Sequence, residues 1–159
     1  MQPITANAQS RFLVCVDNQP ESRTALRLAC LKAAARGIAI DLLHVLAPAD
    51  FQTLGIIAER MQGERRGEGE LLLKGLAEEA RAHGVEPGLL LREGAVGEEI
   101  IAAVQADPRI NLAIIGTAHQ TAGRGTLAAW LAGQLGSKLF VPLLMIPGNL
   151  TDQQLQALV

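Results

Sequence analysis

The residues of this chain best suited to chemistry are glycines with polar neighbours. Gly123-Arg124-Gly125-Thr126 stands just ahead of an apolar helical pattern. Bare backbone N–H groups there could form a nest, with Arg124 as a phosphate partner. Gly136-Ser137 has similar letters but lies deep inside that helical pattern, where amides are already paired. Glycine in such a place costs about 1 kcal/mol relative to alanine, so close packing on the sheet is the plainer reading. Asp17 can accept a hydrogen bond from a base or ribose, or cap a helix. His119 can donate to a phosphate, but no carboxylate partner is evident and a solvated loop histidine is the plainer reading. His44, at a strand end, and His83, beside a helix C-terminus, have ordinary structural roles open to them. Trp130 has no second aromatic to build a base-stacking platform, since aromatic residues make up 3% of the chain.

These residues do not add up to a catalytic set. Cys15 has no helix-terminal or basic setting to lower its pKa, so it is not expected to act as a nucleophile. The chain carries no G-x-S-x-G, no P-loop lysine motif and no metal-ligand cluster. The first strand runs into Asp17-Asn18-Gln19-Pro20 rather than a G-x-G-x-x-G turn, which argues against a dinucleotide-dependent oxidoreductase.

The elements that position these residues alternate. Strand-length apolar runs and helical patterns follow one another, the signature of a parallel sheet covered on both faces. Phe12 to Val16 is continuously apolar, as expected of a strand buried on both sides. Asp17 or Asn18 then caps a helix with Pro20 in its first turn; Ala25, Leu28, Leu31 and Ala35 keep helical spacing, and Gly37 closes it. Ile38 to Leu46 reads as the second strand. Pro48 to Arg66 reads as a loop and an exposed helix start, weakened by Gly55 and Gly63 and then by Gly67 and Gly69. From Glu70 the stripe of Leu73, Leu76 and Ala80 predicts a helix ending at His83-Gly84. Gly88 to Leu91 is a short third strand and Gly97 to Asp107 a helix with Ile100, Ile101 and Val104 inward. Leu112 to Ile115 is the fourth strand, delivering Gly116. A helix follows from about Thr126, with Leu127, Leu131, Leu135 and Leu139 at i, i+4 spacing. Val141 to Ile146 is the fifth strand. Thr151 caps a terminal helix carrying Leu155 and Leu158.

Composition sets the bounds. With 159 residues, 49% of them apolar, the chain can enclose one core but not two. Fourteen Lys and Arg against 16 Asp and Glu give a net charge of -2, without the basic stripe of a nucleic-acid binder. The basic cluster from Arg60 to Arg66 is interleaved with Glu59 and Glu64 and reads as a solvated face. No apolar run approaches the roughly 20 residues of a membrane helix, and Met1 to Ser10 is polar, without a signal-peptide core. Cys15 and Cys30 lack CxxC or metal spacing and read as buried reduced thiols, consistent with a cytoplasmic address.

Several segments resemble the universal stress protein family. Phe12-Leu13-Val14-Cys15-Val16-Asp17 is similar to its opening strand, and Leu43-His44-Val45-Leu46 to the end of its second. Arg92-Glu93-Gly94 with Glu98-Glu99-Ile100 resembles its third strand and the helix that follows. Leu112 to Thr117, then Val141-Pro142-Leu143-Leu144-Met145-Ile146-Pro147, resembles its paired fourth and fifth strands. The resemblance spans Arg11 to Pro147. It implies a single doubly wound, five-stranded parallel sheet with helices on both faces, and a homodimer paired through Val141 to Ile146. Residues 1–10 then read as a polar extension and 148–159 as a tail with a short helix.

The resemblance also implies where a nucleotide would sit: beyond the carboxyl ends of strands one, two and four, at the point where strand order reverses. Family members that bind ATP hold adenine and ribose near the equivalents of Asp17 and Val45. Their phosphates rest on a loop written G-x-x-G-x9-G-[ST], whose glycines let backbone amides approach. In an ungapped frame from Gly116 to Pro142, the second glycine becomes His119, the third Ala129 and the hydroxyl residue Trp130. Two of three glycines are replaced and the motif is broken. The expectation is therefore a non-catalytic, dimeric regulatory module that needs no metal and no ATP. ATP or AMP stands as the alternative, held by Asp17, Val45, Gly116 and Thr117 with Gly123, Arg124, Gly125 and Thr126.

Overall fold

Phe12, Leu13 and Val14 are all buried, on alternate faces of strand β1 (Arg11–Cys15), which can therefore sit only at the centre of a sheet covered on both sides. The computed structural model describes residues 10–47, 56–117, 133 and 138–159. The expectations for His119, residues 123–126, Ala129, Trp130 and Gly136-Ser137 lie outside them, as does most of the helix expected from Thr126. Strands β2 (Ala39–Leu46), β3 (Gly88–Glu93), β4 (Ile110–Thr117) and β5 (Leu143–Pro147) join β1 in a parallel sheet of order β3-β2-β1-β4-β5. The order reverses between β1 and β4, as expected of a doubly wound fold.

Helices α1 (Pro20–Arg36) and α2 (Ile56–Ala82) cover one face. There Val14, Ile40, Leu42 and Ile114 of the sheet meet Leu26, Leu28, Leu73 and Leu76 of the helices. Helix α3 (Val96–Ala106) lies on the other face, where Leu13, Leu43 and Ile115 pack on Ile100 and Val104. Glu98 and Glu99 in its first turn suit the positive end of the helix dipole. Removing such side chains from water supplies roughly 1.5–3 kcal/mol each.

Helix α1 begins with Pro20 and ends at Gly37, whose φ of 65° is the left-handed conformation open to glycine, with its N–H on the Ala33 carbonyl. Its N-cap is Gln19, which makes no side-chain capping bond; the expected caps, Asp17 and Asn18, stand one or two residues too early. Strand β5 starts at Leu143, two residues later than the apolar run suggests. Pro142 has no N–H to give, though its carbonyl still accepts from the Ala113 amide. A terminal helix, α4 (Asp152–Ala157), opens with a full capping box between Thr151 and Gln154 and buries Leu155 completely. It lies against α1, where Arg27 pairs with Asp152.

At the opposite, amino end of the strands, Arg11 of β1 clasps Asp41 of β2 through Nε at 2.8 Å and Nη2 at 2.5 Å. Gly88 of β3 makes room for this pair, since a Cβ there would strike the Asp41 carboxylate.

Candidate functional site

At the carboxyl end of β1 the chain leaves the sheet through Asp17. Its carboxylate Oδ1 accepts from the Gln19 amide and from the Ser22 hydroxyl, each at 2.8 Å. The Asp17 amide in turn donates to Ser22 Oγ at 2.8 Å. Asp17 thus organises the β1–α1 turn with one oxygen. The other, Oδ2, has no partner among the described residues, and the residue is exposed.

The strand registers bring three of the expected positions to the same end of the sheet. Cys15 pairs with Leu43 and with Ile115, so Asp17 leaves the sheet at the same end at which Val45 and Thr117 stand near the ends of β2 and β4. Val45 is buried with the α3-side cluster, leaving its backbone as its contribution to any crevice. Gly116 is next to Thr117 and pairs with Ile146. Asp17, Val45, Gly116 and Thr117 are thus gathered at adjacent strand ends, while residues 123–126 lie outside the described chain.

The bare flank of Gly116 is not turned to an empty crevice. A Cβ built there would lie 2.5 Å from the carbonyl carbon of Glu21 and 3.0 Å from its Cβ. Gly148, just past β5, meets the same residue, with Glu21 Cβ at 2.8 Å from the atom a side chain would add. Thr24 Oγ1 fastens the contact by donating to the Gly148 carbonyl at 3.0 Å. The two glycines form a seat for the first turn of α1.

His44 was not among the expected site residues, although its place at a strand end was visible. Its Nδ1 lies 2.8 Å from the Val16 carbonyl. A carbonyl only accepts, so Nδ1 carries the hydrogen and Nε2 is left as the open ring nitrogen. Beside it, between α1 and α2, opens a cleft of about 820 Å³ whose wall includes Asn18, Arg23, His44 and Arg65. Arg65 belongs to the basic cluster that reads from sequence as a solvated face, yet it is half-buried.

The thiol nearest the crevice is poorly set to ionise. Burial pushes Cys15 up to about 12, helped by the charge of Asp17, so it remains protonated. Among the described residues no group of three His, Cys, Asp or Glu side chains converges on a metal position. No helix among them is long and apolar enough to cross a membrane.

A family model described as "Universal stress protein family" matches residues 10–147. No curated protein sequence matches the chain. Among solved structures, the universal stress protein UspA from Lactobacillus plantarum superposes with a TM-score of 0.74 at 13% identity, over 88% of this chain and 99% of that one. A protein of the universal stress protein family from Burkholderia pseudomallei gives 0.70 at 22% identity, over 89% and 98%. The universal stress protein from Archaeoglobus fulgidus in complex with dAMP gives 0.62 at 21% identity, over 86% and 97%. At these identities the likeness to solved structures establishes the fold.

Proposed function

The chain belongs to the universal stress protein family, and on that footing we propose a regulatory binding module, working as a homodimer in the stress response. It has no catalytic machinery of its own and does not hold ATP on a glycine loop. The observation that carries this reading is the seat of Glu21 on Gly116. The one glycine that survives at the expected phosphate-loop positions is explained by helix–strand packing, and the others are His119 and Ala129, with Trp130 at the hydroxyl position. A reducing, cytoplasmic setting suits the two free, buried cysteines.

Support for the dimer comes from the sheet edge. Strand β5 ends the strand order, with Leu143, Leu144 and Met145 only half-buried, and Phe140 beside it is 86% exposed. An apolar edge of this kind invites pairing or covering. The proposal is tested by titrating the full chain with Mg-ATP in a calorimeter and measuring its mass by light scattering. Micromolar ATP affinity would refute the first half and a monomer the second.

A second reading, an AMP- or ATP-responsive sensor, is favoured by Asp17 Oδ2, which has no partner among the described residues, and by the dAMP complex of the Archaeoglobus fulgidus relative. It would use Asp17, Val45, Gly116 and Thr117 with Gly123, Arg124, Gly125 and Thr126. Nucleotide retained through purification and lost on Gly125→Val is its signature.

A further inference from the structure

We infer that the C-terminal segment from Gly148 to Leu158 is a strap over α1 whose release loosens the β1–α1 turn, and with it the Asp17 carboxylate. The device rests on contacts within one chain and depends neither on ATP nor on pairing of two chains.

The strap starts at the seat of α1. The Gly148 amide donates to the Thr117 carbonyl at 2.9 Å, which fixes the start of the strap to the end of β4. Glu21 lies against the bare flank of Gly148, and Thr24 Oγ1 donates to its carbonyl. Further along α1, Arg27 pairs with Asp152, and Lys32 Nζ donates to the Leu158 carbonyl at 3.0 Å. The helix is thus held from its first turn towards its end.

That first turn also holds Asp17. Ser22, buried between Glu21 and Thr24 in sequence, donates its hydroxyl to Asp17 Oδ1 and accepts from the Asp17 amide, each at 2.8 Å. One helical turn therefore carries both the groups that meet the strap and the group that clamps Asp17. A packed, hydrogen-bonded turn of this kind transmits a shift from one contact to the other.

The strap is built to open before the core does. From Thr151 to Val159 only Leu155 is buried. The Arg27–Asp152 pair is exposed on both sides and holds weakly, and a helix of six residues has no stability of its own. Elements with so few buried apolar contacts open locally at the low end of a protein's stability range.

Hydrogen exchange on the full chain tests the coupling. Leu155→Ala should speed exchange at the Gln154 and Leu158 amides of the strap, and at the Asp17 and Gln19 amides of the turn, by about tenfold or more. Amides of β2 and α3 should keep their parental rates. Arg27→Gln, which leaves the core intact, should act in the same direction by about threefold. Coupling is reciprocal, so Ser22→Ala should speed exchange at Gln154 and Leu158. Parental exchange at Asp17 and Gln19 in the first two variants, or at Gln154 and Leu158 in the third, overturns the assignment. So does an equal rise in β2 and α3, which would mark a general loss of stability.

Discussion

Gly116 of β4 and Glu21 of α1 touch through backbone, so closely that a Cβ on the glycine would overlap the Glu21 carbonyl. Rigid main chain on both sides leaves no flexible side chain to yield. Gly116→Ala should therefore destabilise the fold by about 2–3 kcal/mol, the cost of forcing an extra carbon into a filled contact. Urea denaturation checks this, and the loss should be the same with and without added nucleotide. Parental stability in the variant would show that the helix does not rest there.

Acid should expose one local clasp. Arg109 hydrogen-bonds Asp107 through Nε at 2.8 Å and Nη2 at 2.7 Å and adds its backbone amide at 3.0 Å, which holds the carboxyl down at about 2. A lowered carboxyl pKa stabilises the fold above its ordinary value of 3.8 and loses that effect as pH falls toward 2. Because Arg109 is about half exposed, solvent screening keeps the contribution small. Asp107→Asn should be slightly less stable than the parent at pH 6, with the gap closing between pH 4 and 2. A gap that does not change with pH would contradict the clasp.

Both thiols should resist modification in the folded chain. Burial raises Cys15 to about 12 and Cys30 to about 11, with Asp17 and Glu79 adding to the respective shifts. At pH 8 roughly one Cys15 thiol in ten thousand would be ionised. A disulfide reagent such as Ellman's should titrate neither cysteine in the native protein and both in denaturant. The raised values also mean that stability is complete below pH 9 and falls as pH climbs toward 11 and 12. Rapid native labelling would place a thiol at the surface.

Edge pairing makes a prediction about mass. Light scattering should give about twice the 16.8 kDa of one chain. A charge beside β5, at the 86% exposed Phe140, as Phe140→Lys, should shift it toward one chain while leaving the far-UV spectrum intact. A parental mass for the variant would move the interface elsewhere.

Much of the fold was legible because burial on two faces leaves a plain mark. The apolar run from Phe12 to Val16 and the stop at Gly37 both lie where the structure places β1 and the end of α1, within a residue. Helix α2 was harder. Four glycines, Gly63, Gly67, Gly69 and Gly75, lower its intrinsic propensity, yet it runs unbroken from Ile56 to Ala82. Leu73, Leu76 and Ala80 anchor its second half in the core, and Gly69 lets it lie against His44, Leu46 and Leu91. Tertiary contact overrode local preference there. At the candidate site, the family resemblance and the doubly wound topology it implies were what put Asp17, Val45, Gly116 and Thr117 at one end of the sheet. Sequence could not show that Gly116 serves Glu21, because that contact joins a helix start to a distant strand end. Nor could it show Arg65 turned toward a cleft, since a charge run reads the same whichever way its members face.

The proposed function turns on whether ATP finds a seat above β4. Calorimetric titration of the full chain with Mg-ATP addresses it most directly. No saturable heat is expected at ATP concentrations up to about 1 mM. A one-to-one isotherm with a micromolar dissociation constant, abolished by Gly125→Val, would contradict it.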